Sequence, residues 1–189
     1  MPLSVEQLLS VVRNYWRADK SYHSRTDSSP ENERRGALWK EELKRLDQWR
    51  AFLRDLKQEL PGFTIGDATA TCDVCFRCAA YAPATKEHPQ LEWAIVGCMS
   101  ILAPVYTVYG ALSEHVGMDR VDHAVFEPLP IEMRVPADLI ARKIEATFGV
   151  SALPRELAET PIPLIVEPQE PPYTTLFHAL FTGDPESIP

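Results

Sequence analysis

Three thiols and a cluster of histidines and carboxylates are the residues of this chain whose types and spacing could do chemistry. Cys72, Cys75 and Cys78 stand at C-x2-C-x2-C spacing in TCDVCFRCAAYAP. Ala82-Pro83 falls where bacterial iron–sulfur ferredoxins carry a fourth cysteine and its proline. A cluster or zinc site built here would need Cys98 or His88 as the missing ligand. The alternative is a β-strand over residues 68–82 that happens to hold three thiols. On a strand, Cys72 and Cys78 share one face and Cys75 takes the other. Cys72 and Cys78 would then lie about 20 Å apart at 3.3 Å per residue, too far to share a metal with ligand bonds of about 2.3 Å. The segment lacks glycines to form a ligand loop, and its Val, Phe and Tyr suit a pleated sheet. The expectation is therefore structural thiols, small and apolar in behaviour, with no metal and no cofactor.

The second group is Glu114-His115…Asp119-Arg120-Val121-Asp122-His123. Two histidines among several carboxylates could ligate a metal or supply an acid–base pair. Their spacing matches no metal or catalytic pattern. Gly117 and the end of an apolar run just before it predict a solvated connection, and its acidity suits an interaction loop. Glu114, Asp119, Asp122 and Glu127 are the candidate partner-binding residues. No glycine-rich phosphate loop, G-x-S-x-G elbow or H-E-x-x-H is present. His178, inside the apolar run TTLFHALF, reads as a satisfied core histidine. No catalytic residue is assigned, and the chain is expected not to be an enzyme.

The elements that must position these residues are legible from periodicity. Ser4-Val5-Glu6-Gln7 has the form of a capping box, and Leu8, Leu9, Val12, Tyr15 and Trp16 follow helical spacing towards Lys20. Residues 20–29 are polar and predict a loop. Ser29-Pro30 restarts a helix as N-cap and first helical residue. Its stripe is Trp39, Leu43, Leu46, Trp49, Leu53, Leu56 and Leu60, and Pro61-Gly62 ends it. These two helices predict an antiparallel pair, with the tryptophans in the core. Residues 63–82 and 91–112 are β-rich around a turn-like interval at 84–90. The charge-free run from Trp93 to Leu112 is long enough to span a membrane. Gly97, Pro104 and Gly110 interrupt it, however, so it predicts two strands turned near Ala103-Pro104. PLPIEMRV, 128–135, predicts an edge strand. Pro136 predicts the start of a helix that ends at Gly149, and residues 161–168 a short extended segment. Eleven of the 17 prolines follow residue 127, which predicts an extended wrap and a fraying tail.

The chain therefore reads as one α+β domain: a helical part over 1–61, a β-rich part over 62–135, and a helix plus proline-rich segment over 136–189. The N-terminal antiparallel helix pair is expected to pack on an antiparallel sheet, with one further C-terminal helix. At 189 residues, four of them cysteine, it suits a single core rather than a disulfide scaffold. The start MPLSVEQLL has no apolar signal region, which with reduced thiols predicts a cytoplasmic protein.

The net charge of -8 is uneven: residues 1–60 hold 12 basic and 10 acidic side chains, leaving 7 basic and 17 acidic in the remainder. That balance excludes a general nucleic-acid binder and suits a basic protein partner. The helical front, VGCMSILAPVYTVYG and the ending PPYTTLFHALFTGDP resemble acidic bacterial immunity proteins of polymorphic and contact-delivered toxin systems. The resemblance implies an inhibitor that binds a cognate toxin, and no site residue is carried over from it. Acidic inhibitors suit toxins that attack nucleic acid, whose own surfaces are basic. The alternatives are a small metal-dependent enzyme or metalloprotein using His115/His123 and nearby carboxylates or the Cys72/Cys75/Cys78 stretch, and a homodimer paired through the long helix.

Overall fold

The computed structural model describes residues 3–19, 29–83 and 91–188. Residues 20–28 of the loop expected over 20–29, the turn at 84–90 and His88 lie outside them. The protein has the α+β architecture expected from its sequence, arranged in three layers around an antiparallel sheet. Strands β1 (Thr64–Asp67), β2 (Cys75–Tyr81), β3 (Leu91–Ser100), β4 (Val105–Val116) and β5 (Asp119–Val125) follow one another in space in chain order. The short β6 (Ser151–Ala152) joins parallel to the start of β4, opposite Val105 and Tyr106.

Each face of the sheet carries its own core. Helix α2 (Pro30–Glu42), a three-residue 3-10 turn and helix α3 (Leu46–Glu59) form a nearly continuous rod over one face. Ser29 caps it and Pro30 opens it, as the sequence implies. Trp39, Trp49, Phe52, Leu56 and Leu60 of this rod meet Phe76, Ile95, Met99 and Tyr106 of the sheet. Trp49 stacks on Phe52 at 5.0 Å between centroids, and Trp39 meets Phe76 edge-on at 5.3 Å. Helix α4 (Ile131–Phe148) completes this layer with Met133, Ile140 and Ile144.

The other face is covered by α1 (Val5–Val12), α5 (Arg155–Ala158), α6 (Leu176–Leu180) and the extended segment between them. The expected N-terminal helix pair is therefore not formed as such. Leu8 and Val12 of α1 enter one core, while the α3 residues enter the other. Where the two elements meet, Arg34 and Arg35 of α2 donate to the carbonyls of Asn14 and Tyr15, just beyond α1, and Arg35 stacks over Trp16 at 4.2 Å.

Other expectations need correction. The capping box at Ser4 and Gln7 is present, but α1 stops at Val12 instead of running towards Lys20. Residues 128–135 are no edge strand, since α4 starts at Ile131 after Pro130. Pro136 sits inside that helix, where its missing N–H removes one ladder bond. Gly149 ends it with φ 67, the left-handed conformation glycine allows. Leu43 of the long stripe is 43% exposed. The C-terminal tail is tied down, with the Tyr109 hydroxyl donating to the Pro185 carbonyl at 3.0 Å.

Candidate functional site

The residues from Glu114 to His123 are not a loop. They form the outer half of the β4–β5 hairpin, closed by the two-residue turn Gly117-Met118. Gly117 has φ 68, and only glycines in the described residues have positive φ. Glycine with positive φ at the first turn position matches the type II′ hairpin turn. Val116 lies opposite Asp119, His115 opposite Arg120, Glu114 opposite Val121 and Ser113 opposite Asp122.

The pleat then divides the candidate residues between two faces. Gly110 of β4 faces Met133 of α4, so Glu114, Asp119, Val121 and His123 share the α4 side by alternation. His115, Arg120 and Asp122 take the opposite side. Glu114 and Asp119 are solvent-exposed, as are Met118 and Val121. Asp122 is already committed. Its carboxylate accepts from the Ser113 hydroxyl and from Arg120 Nε, the latter at 2.8 Å. The Ser113 bond and then the Arg120 bond hold its carboxyl below the usual carboxylate range. Glu127 lies past the end of β5, exposed, with its backbone carbonyl accepting from Arg155. The structure thus brings Glu114 and Asp119 onto one surface and leaves Asp122 and Glu127 elsewhere.

The same geometry bears on metal chemistry. His115 and His123 project from opposite faces of the hairpin. Cys72 lies in the turn before β2, exposed, so the expected shared face with Cys78 does not arise. Cys75 and Cys78, three apart on β2, enter opposite cores. Cys75 shares its side with Cys98 of β3, and the two thiols hydrogen-bond to each other. That bond and burial push the Cys75 thiol well up, and burial pushes Cys78 to about 12. Such thiols are packing groups, not nucleophiles. Among the described residues no three His, Cys, Asp or Glu side chains converge on a possible metal position.

Two features escaped the sequence reading. Arg77 on β2 is buried beside the Cys75–Cys98 pair. Its Nε donates to the Ala68 carbonyl at 3.1 Å, Nη2 lies 3.8 Å from Asp73, and Nη1 is buried with no hydrogen bond among the described residues. Burial raises the Asp73 carboxyl against the pull of Arg77, and the Thr182 hydroxyl bonds to it. This cluster joins the start of β2 to the C-terminal tail. A charged residue between apolar neighbours in a strand gives no sign that it will be buried. The second feature is a groove of about 580 Å³ between the end of α1, the start of α2 and Pro163-Leu164. Arg13, Arg17, Asp19 and Glu31 line it around Trp16. Its mixed charges select no ligand of one sign.

His178 is the satisfied core histidine expected. Its Nδ1 accepts the Thr175 N–H at 3.0 Å, closing a capping box on α6, and burial lowers its pKa. No helix among the described residues is long and apolar enough to cross a membrane. In comparisons with protein-family models, curated proteins and solved structures, the chain matches none of them.

Proposed function

We propose that the protein is an inhibitor of the immunity kind, which neutralises a cognate bacterial toxin by direct protein–protein contact. The observation that carries this reading is the outer half of the β4–β5 hairpin, solvated on both faces. There Glu114 and Asp119 are solvent-exposed and form no salt bridge among the described residues, beside exposed Val121 and Met118. Carboxylates around apolar side chains are suited to a basic protein surface, and they steer its approach. The acidic excess of residues 61–189 favours the same partner. The reading is tested by mixing the purified protein with the product of the neighbouring gene. Complex formation and loss of toxicity are expected, and failure of both would end it.

The rival, a metal-dependent enzyme, finds less support in the geometry, because the pleat separates His115 from His123 and Cys75 from Cys78. Metal analysis of protein purified without chelator distinguishes the two. Pairing of the long helix with a second copy is also disfavoured, because its tryptophans and Leu56 are spent on the sheet.

A further inference from the structure

Strand β5 ends the sheet, and among the described residues no strand pairs with its outer edge. The two-residue turn fixes which backbone groups that edge presents. Val116 and Asp119 flank the turn and form its hydrogen-bonded pair, so bonded and non-bonded pairs alternate away from it. His115–Arg120, Ser113–Asp122 and Ala111–Ala124 are consequently non-bonded pairs. The N–H and C=O groups of Arg120, Asp122 and Ala124 therefore point outward, ready for another strand. The opposite edge, β1, is only four residues long and lies against α3, with Trp49 Nε1 donating to Asp67 at 3.2 Å.

The side chains decide which strand fits. Two copies of β5 meeting antiparallel can be centred on any one residue, and each centre gives a different set of opposites. Centred on Asp122 or on Arg120, that residue faces its own like charge. Centred on His123, Asp119 falls opposite Glu127 of the second copy. Centred on Val121, Arg120 falls opposite Asp122 of the second copy and Asp119 opposite its His123, each pairing occurring twice. Arg120 and Asp122 are also the residues whose backbone groups point outward, so the same pairs exchange backbone hydrogen bonds. Their intrastrand ion pair, at 2.8 Å, survives in this arrangement and becomes half of a four-charge square. Val121, 38% exposed, meets its own copy. Met118, fully exposed at the hairpin tip, falls opposite Ala124 of the second copy, next in sequence but one to its exposed Phe126.

We propose that the outer edge of β5 is a self-complementary dimerisation site, at which two copies join antiparallel about Val121 into one continuous sheet. The edge shares Asp119, Val121 and Met118 with the Glu114–Asp119 face, so the dimer covers part of that face. The dimer follows from the strand edge and does not depend on the inhibitor reading.

Sedimentation of the full chain over a micromolar concentration series measures the dimer. Arg120→Asp or Asp122→Arg alone places like charges opposite each other twice and is expected to weaken it about tenfold or more. The double variant Arg120→Asp, Asp122→Arg exchanges the charges and restores it. Circular dichroism on each variant confirms folding. Amide exchange on the unaltered protein supplies a reading that needs no substitution: Arg120 and Asp122 amides should gain protection as concentration rises. A protein that stays monomeric throughout overturns the proposal. So does a dimer indifferent to both single variants, or one that the charge exchange fails to restore in a folded chain. Protection of these amides only after a toxin partner is added would assign the edge to that partner instead.

Discussion

The cysteines show how a residue's environment overrides its motif. C-x2-C-x2-C suggests a metal, but Cys72 sits in a turn and the strand points Cys75 and Cys78 into different cores. A thiol reagent at neutral pH should therefore label Cys72 rapidly in the native protein, and Cys75, Cys78 and Cys98 only on unfolding. Rapid labelling of a second thiol would contradict the burial described here. His178 gives a second prediction. Burial favours its neutral form in the folded state, and that neutral Nδ1 is the acceptor of the cap on α6. The unfolded chain takes up a proton near the ordinary value of 6.5, before the folded one does. The contribution is thus whole above 6.5 and lost as pH falls below it. Denaturant unfolding at about pH 7.5 and pH 5.5 should show a smaller stability difference for His178→Gln, which keeps an acceptor but does not titrate. Equal differences in both proteins would remove His178 from the account.

At the scale of elements, the sequence was most readable where one face is buried and the other wet. Helix α3 announces itself because Trp49, Leu56 and Leu60 recur on one side. The β3–β4 turn is legible from Pro104 in an apolar run. The outer hairpin was missed for the converse reason: both of its faces are solvated, so residues 114–123 carry no alternation of apolar and polar side chains. The turn residues Thr71 to Asp73, with the Asp73 N–H on the Ala70 carbonyl at 3.0 Å, shorten β2 in a way the thiol spacing obscured. Pro136 misled because proline opens helices more often than it sits inside them. The approach of α4 to the sheet depends on two glycines in ordinary strand conformation. A Cβ on Gly97 would lie 2.8 Å from Ile140 Cγ2 and 3.1 Å from Cys78 Sγ, and one on Gly110 would lie 2.6 Å from Met133 Sδ. Gly97→Ala is expected to cost about 1–3 kcal/mol by overpacking. Gly36→Ala, on the open surface of α2 with nothing within 4 Å, should stabilise by about 0.5–1 kcal/mol. Equilibrium unfolding of the two variants checks both signs, and a neutral Gly97→Ala would mean that α4 packs more loosely than described.

For the molecule as a whole, the sequence revealed the fold class but not its layering. Helical periodicity says that α1 and α3 each bury a stripe. It cannot say that the stripes lie on opposite faces of one sheet, since that depends on how Phe76, Val96 and Tyr109 alternate across strands far away in the chain. The candidate site was legible as a composition and misjudged as a shape. Its four carboxylates were found in one short stretch, yet the pleat leaves Glu114 and Asp119 together on a solvated face and ties Asp122 to Ser113 and Arg120. The inhibitor reading rests on the two that remain available. Its most direct test is the rate of association with the proposed toxin partner, sought as the product of the neighbouring gene, measured against ionic strength for the unaltered protein, for Glu114→Lys with Asp119→Lys, and for a Lys57→Glu control at an exposed position of α3. The account predicts that the hairpin variant associates at least about tenfold more slowly and with a shallower salt dependence, while the control keeps the original rate. A hairpin variant that associates as fast as the unaltered protein, with the control slowed instead, would contradict it and move the interface to the helical layer.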